Sequence, residues 1–175
     1  MISTRGRYGI RVLVDLAEQE GEDGRFVALR DIAERQGISE KYLQHVVKLL
    51  VERGLLVGVS GKGGGYRLAR DSRECSVLEV LDAAEGTTAP VACLTEGAAP
   101  CERASVCKTL PMWRGFYALT REYFGGITIA DLADGTAGST EGTAGSTEGT
   151  AGSTEGTAGL ADGVVDQTRG ATGSL

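Results

Sequence analysis

A mainly helical chain with one small two-stranded sheet, a long helix towards its far end and a disordered C-terminal tail is the fold class that the sequence predicts. Three observations predict it. Apolar residues recur at helical spacing through most of residues 4–133, residues 55–69 read as two strands around a run of glycines, and from Gly135 onward a polar heptad repeats.

The first helix is expected between Thr4 and about Glu20, where Ile10, Leu13, Val14 and Ala17 form an apolar stripe and Gly21-Glu22-Asp23-Gly24 supplies the stop. A second, short helix carries Leu29, Ile32 and Ala33 and ends at Gln36-Gly37. A third follows at once. Ser39 is its N-cap, Glu40 complements the dipole of the first turn, and Ile38 can staple onto Leu43. Tyr42, Leu43, Val46, Val47 and Leu50 mark its buried side, and Gly54 its end. Two short helices joined by so tight a glycine-containing turn make a helix-turn-helix. Leu55 to Val59 and Tyr66 to Ala69 then read as two strands joined by Ser60-Gly61-Lys62-Gly63-Gly64-Gly65, a small wing. Nucleotide-binding glycine fingerprints need a strand and a helix around them, so these glycines, set between strands, do not make one. They do let the backbone approach a partner such as a DNA phosphate closely.

Ser76 and Glu79 form a capping box that opens a helix bearing Leu78, Val80 and Leu81 and ending near Gly86. A Gly/Ala/Pro-rich loop holding Cys93, Cys101 and Cys107 comes next. Beyond it Trp113, Phe116, Tyr117, Thr120, Tyr123 and Phe124 fall along one face of a helix of about four turns, and five of the nine aromatic residues of the chain lie there. A domain of this size covers such a face poorly by itself, so the stripe is expected to be a dimer interface rather than part of the chain's own core. Residues 128–133 read as a short closing helix. The heptad Gly-Thr-Ala-Gly-Ser-Thr-Glu starts at 135, 142 and 149 and begins again at 156, with no large apolar side chain to bury. Residues 135–175 are therefore expected to be disordered. Three regions result: 1–74, a winged helix-turn-helix; 75–134, the cysteine loop and dimerisation helices; and 135–175, the tail.

A net charge of −6 argues against nucleic acid only until its distribution is read. Residues 1–74 hold 13 Lys/Arg against 11 Asp/Glu, net +2, and residues 75–175 hold 5 against 13, net −8. Arg5, Arg7 and Arg11 stand near the start with no acid among them, which suits DNA. The alternative is that they solvate an ordinary helix face. No apolar run reaches the length of a membrane span or a signal peptide, so the chain is expected to be cytoplasmic. In that compartment cysteines serve more often as thiols or metal ligands than as structural disulfides.

Seven residues separate Cys93 from Cys101 and five separate Cys101 from Cys107. This is wider than the Cys-x-x-Cys grip of a zinc knuckle and suits a loop wrapped around a larger object, an iron–sulfur cluster. Ordinary free thiols and structural zinc are the alternatives. Cys75, outside the loop, reads as a small, partly buried residue. No nucleophile–base pair supports an enzyme.

Ile-Ser-Thr-Arg-Gly-Arg-Tyr-Gly at 2–9, Asp-Ile-Ala-Glu-Arg-Gln-Gly-Ile-Ser-Glu-Lys-Tyr-Leu at 31–43, Gly-Gly-Gly-Tyr-Arg-Leu-Ala-Arg at 63–70 and the cysteine loop leading to Trp113 resemble the Rrf-type winged-helix regulators. That group includes the cluster regulator IscR, the nitric-oxide sensor NsrR and the cysteine-metabolism regulator CymR. The resemblance implies a homodimeric transcription regulator, usually a repressor, bound to a double-stranded operator. It implies that Lys41, Gln44 and His45 read bases while Ser39 and Tyr42 meet phosphates. Lys can donate to guanine and Gln can bond adenine bidentately. Many relatives carry an arginine just before the wing glycines. Ser60 stands here, with Lys62 two residues later as the wing's candidate DNA contact and Arg5 as the N-terminal one. The loop is similar to the three-cysteine loop of IscR and NsrR, which implies a [4Fe-4S] or [2Fe-2S] cluster on Cys93, Cys101 and Cys107. IscR-like proteins place a histidine three residues after the last cysteine; Leu110 occupies that position here. Glu96, Glu102, Cys75, a group from the partner's N-terminal helix or a small exogenous ligand are then the candidates for a fourth ligand.

Overall fold

The computed structural model describes residues 2–19 and 24–137. The stop expected at Gly21 to Asp23 and nearly all of the expected tail lie outside them. The elements are α1 (Thr4–Gln19), α2 (Leu29–Gln36), α3 (Glu40–Glu52), β1 (Leu56–Val59), β2 (Gly65–Leu68), α4 (Val77–Glu85), α5 (Leu110–Gly125) and α6 (Ile129–Ala133), with single 3-10 turns at Ser72–Glu74 and Ala92–Leu94. A mainly helical fold with a two-stranded antiparallel sheet is what the periodicity predicts.

The local signals act as expected. Gly37, at φ +62°, closes α2 in the left-handed conformation and turns the chain directly into α3, where the Ser39 hydroxyl accepts from the Tyr42 N–H at 3.3 Å. At α4 the capping box is complete. Ser76 Oγ accepts from the Glu79 N–H at 3.3 Å and Glu79 Oε2 accepts from the Ser76 N–H at 2.9 Å. Thr128 and Asp131 repeat the arrangement at α6.

One apolar cluster holds these elements together. Val12, Leu13 and Leu16 of α1 are buried with Ile32, with Leu43, Val46, Val47 and Leu50 of α3, and with Val80, Leu81 and Ile129. Each such side chain removed from water contributes roughly 1.5–3 kcal/mol before the entropy of ordering is set against it. Leu78, expected on the buried stripe of α4, is only half-buried; Val77, Ala83 and Ala84 are buried with Val80 and Leu81.

The wing differs from a simple hairpin. Leu56 pairs with Leu68 and Val59 with Gly65, and Val27, ahead of α2, adds an isolated bridge to Tyr66. The Tyr66 N–H donates to the Val27 carbonyl at 2.8 Å and the Val27 N–H donates back at 2.9 Å. A Cβ on Gly65 would collide with that Val27 carbonyl, and one on Gly64 with the Val59 carbonyl. At these two glycines the close approach is made to the chain's own backbone.

Two polar anchors hold α1. Asp15, 1% exposed, accepts from Arg35 Nε at 3.0 Å, Arg35 Nη2 at 2.6 Å and Gln36 Nε2 at 2.9 Å, which ties α1 to α2. At the other end Glu85 Oε1 accepts from the Ser3 N–H at 2.8 Å, the Ser3 hydroxyl at 2.7 Å and the Gly6 N–H at 3.1 Å, with Arg5 at 3.6 Å from its other oxygen. Those are donors a helix start leaves unpaired, here satisfied from the last turn of α4. Burial pushes Glu85 upward, but Ser3, the backbone N–H groups and Arg5 outweigh it and hold the carboxyl below its ordinary value.

Candidate functional site

α3 presents two unlike faces because its apolar residues recur at 3, 1 and 3. Leu43, Val46, Val47 and Leu50 go into the core, and Lys41, Gln44, His45 and Lys48 stand exposed on the opposite side. The capping by Ser39 and the anchored α2–α3 turn fix the direction in which that row points. Ser39 is exposed, but its oxygen already serves the helix end and keeps only its proton for a phosphate. Tyr42 is half-buried. Its ring meets Tyr8 edge-on at 5.5 Å, and the Arg11 guanidinium lies over the Tyr8 ring, 5.5 Å from its centroid. Lys62 is exposed in the wing turn. Arg5, at the start of α1, faces Glu85, so part of its charge is matched within the chain.

The second region lies in the loop between α4 and α5. Cys93, Cys101 and Cys107 line one cleft of about 230 Å³ with Pro100, Ala104, Leu110 and Arg114. Cys93 and Cys101 are exposed and Cys107 is half-buried. The Thr109 hydroxyl, 3.4 Å from Cys107 Sγ, together with backbone N–H groups and Arg103, holds this thiol below its ordinary value. The three sulfurs share a cleft but are not drawn together: among the described residues no group of three or more metal-ligating side chains is close enough to hold an ion.

The structure also sorts the remaining candidate ligands. Cys75 is 2% exposed in the core, where burial pushes its thiol up against the opposing pull of Arg70. Leu110, 8% exposed, packs inward from the first turn of α5. Glu96 lines a different cleft, with Arg53 and Arg121. Arg114, which the sequence reading did not single out, brings a cation to the cysteines.

The aromatic stripe expected on one face of α5 divides into two rows. Trp113, Tyr117, Thr120 and Phe124 are half-buried against the chain's own body, and Phe124 packs on the core cluster. Beside them Met112, Phe116, Leu119 and Tyr123 are 56%, 54%, 67% and 59% exposed. Their spacing of 4, 3 and 4 makes a second apolar row pointing away from the core. Met112 and Leu119 stand outside the aromatic stripe of the sequence but share this period with Phe116 and Tyr123.

Comparison with known proteins agrees with the architecture. The model of the Rrf2 family, described as iron-dependent transcriptional regulators, matches residues 2–135. Protein rrf2 of Nitratidesulfovibrio vulgaris is 37% identical over 131 residues, covering 75% of this chain and 85% of that protein. The HTH-type transcriptional regulator IscR of Serratia proteamaculans is 34% identical over 135 residues, with 76% and 79% covered. Among solved structures, IscR of T. potens superposes with a TM-score of 0.60 at 32% identity, covering 77% of this chain and 87% of that one. CymR, the global cysteine regulator of B. subtilis, gives 0.61 at 30% identity, covering 78% and 98%. The matched family is one of transcriptional regulators and not of enzymes. With its capped third helix, glycine-built wing and long α5, this chain belongs to the Rrf2 family of DNA-binding transcriptional regulators.

Proposed function

We propose that the chain is a cytoplasmic, sequence-specific regulator that acts as a homodimer and whose operator affinity is set by an iron–sulfur cluster on Cys93, Cys101 and Cys107. The observation that carries this reading is the shared cleft of the three cysteines at the foot of α5, the helix whose outer row is left exposed. Three thiols with Arg114 beside them suit an anionic cluster, and a bound cluster would supply redox or nitric-oxide reactivity at that cleft. The division into a reading part, residues 1–74, and a sensing and dimerising part, residues 75–134, follows from the same reading.

Lys41, Gln44 and His45 face the bases in this proposal. Ser39, Tyr42, Lys62 and Arg5 contribute phosphate or wing contacts. The outer row of α5 packs against its copy in a second subunit, which sets the separation of the two reading helices. Two-fold half-sites lie about 34–36 Å apart or at multiples of that spacing, so a small change in this separation changes operator fit. Drawing the cysteines together would pull on the start of α5 and, through Glu85, on the start of α1.

The test is the absorbance spectrum with iron and acid-labile sulfide content of protein purified without oxygen, repeated on Cys101→Ala. Near-equal iron and sulfide in the wild type and their loss in the variant are expected. Iron-free wild-type protein that resists reconstitution would overturn the cluster. A second reading, regulation through the thiols without a cluster, is favoured by the dispersed sulfurs and the exposure of Cys93 and Cys101. In that case oxidant treatment alone would change operator affinity.

A further inference from the structure

The cysteine cleft is not the only concavity that the loop helps to build. Between the end of α3, the end of α4, the loop and α5 lies a polar cleft of about 420 Å³, within the range of about 300–1,000 Å³ typical of small-molecule sites. Its wall is made of Arg53, Asp82, Thr87, Glu96, Tyr117 and Arg121, with the backbone of Gly86 and with Thr95 between them. An ordinary ligand pocket is mostly apolar with a few polar groups; this one reverses that proportion and so selects for a small, highly polar molecule.

The charges are arranged unequally. Asp82 is already matched, since its Oδ2 accepts from Arg121 Nη1 at 3.1 Å and its Oδ1 from the Thr88 hydroxyl at 2.9 Å. Arg121 is held by that pair and by Tyr117, whose hydroxyl oxygen accepts from the same Nη1 at 3.3 Å, so its other guanidinium nitrogens stay available. Arg53 and Glu96 enter no ion pair among the described residues. One held cation with free donors, one free cation and one free carboxylate therefore line a single cleft. A guanidinium fork matches a carboxylate bidentately, and a carboxylate matches an ammonium.

We propose that this cleft binds a small zwitterion of the α-amino-acid class, its carboxylate held by Arg53 and Arg121 and its ammonium by Glu96. Both charges of the ligand are needed. A dianion would meet Glu96 as a like charge, and a diamine would meet the two arginines. The placement also joins the end of the reading helix, through Arg53, to the cysteine loop, through Glu96, across the α4–α5 pair. None of the lining residues is a cysteine, so this site and the cluster are tested separately.

The experiment is titration calorimetry on the full chain with each of the protein amino acids as probe, alongside succinate and putrescine, each of which carries only one kind of charge. Wild type is expected to bind at least one amino acid and neither control. Arg53→Ala and Glu96→Gln change exposed side chains and should fold, as circular dichroism will verify; each is expected to weaken binding at least tenfold. Arg53→Lys, which keeps the charge and loses the fork, should fall between. Glu96→Gln should in addition begin to take succinate, a gain that a merely structural role would not produce. The proposal is overturned if no amino acid binds, as it would be if Arg53 and Glu96 simply paired with each other. Tighter binding of succinate than of every amino acid by the wild type would overturn it too, as would wild-type affinity in both charge-removing variants.

Discussion

The α1–α3 body and the loop-plus-α5 region treat their polar and apolar groups in opposite ways. In the first, the buried carboxylate Asp15 has three donors, the start of α1 is satisfied by Glu85, and the inner face of α3 is wholly covered. In the second, two of the three loop thiols stand exposed, Glu96 faces a cleft with no ion-pair partner among the described residues, and four large apolar side chains of α5 point outward. The contrast teaches where rigidity and responsiveness reside. Under the proposed function, a reading helix must hold its exposed row in one direction, whereas a sensing and assembling region must leave groups for something else to complete.

The comparison breaks first at Arg35. Arg35→Ala leaves the buried Asp15 carboxylate with only Gln36 Nε2, and stripping a buried carboxylate of its half-exposed charged partner should lower stability by about 3 kcal/mol, read by urea unfolding. A loss below 1 kcal/mol would mean that the body is less tightly specified than its hydrogen bonds imply. Next, Phe116→Asp places a charge in the centre of the outer α5 row. The dissociation constant of the proposed dimer should rise by about 100-fold in sedimentation equilibrium, with the monomer still folded. An unchanged constant would place the interface elsewhere.

Glu85 gives a prediction with a pH signature. Its carboxyl is lowered by folding, so its contribution is present above the ordinary value of 4.5 and lost as pH falls through the lowered one. Glu85→Gln should therefore lose about 2 kcal/mol at neutral pH and show a shallower loss of stability on acidification than wild type. Equal acid slopes for the two proteins would remove Glu85 as a pH-sensitive anchor. Gln44→Ala should relax base preference at one operator position by about 1 kcal/mol in a competition binding series while leaving stability unchanged. The smallest change is expected for Cys101→Ser in metal-free protein, within about 0.5 kcal/mol of wild type, since the side chain is exposed. A large loss there would show that the loop is as finished as the body.

Much of the fold was legible because its signals are local. Ser39, Ser76 with Glu79, Gly37 and the 3.6-residue spacing in α3 act within four or five residues, and each operates where the sequence placed it. The glycine-rich wing turn was legible for the same reason, but not the use of Gly65, which makes room for Val27 from a segment 38 residues earlier. The aromatic content of α5 was legible as well. Its division into an inner and an outer row was not, because a spacing of 3 and 1 fits one broad face as well as two narrow ones until a neighbour covers part of it.

By itself, then, the sequence determined the order and type of the elements, the capped α3 with Lys41, Gln44 and His45 on its outer side, and the three-cysteine loop. Only the tertiary structure decided that Glu85 closes the start of α1 from 79 to 82 residues away, that Leu110 turns inward and Arg114 towards the cysteines, and that Glu96 joins Arg53 and Arg121 in a cleft of their own. The reason is physical. Propensities, caps and turns are set by neighbours along the chain, whereas the partner of an exposed charge or a loop side chain depends on which distant backbone the core brings beside it.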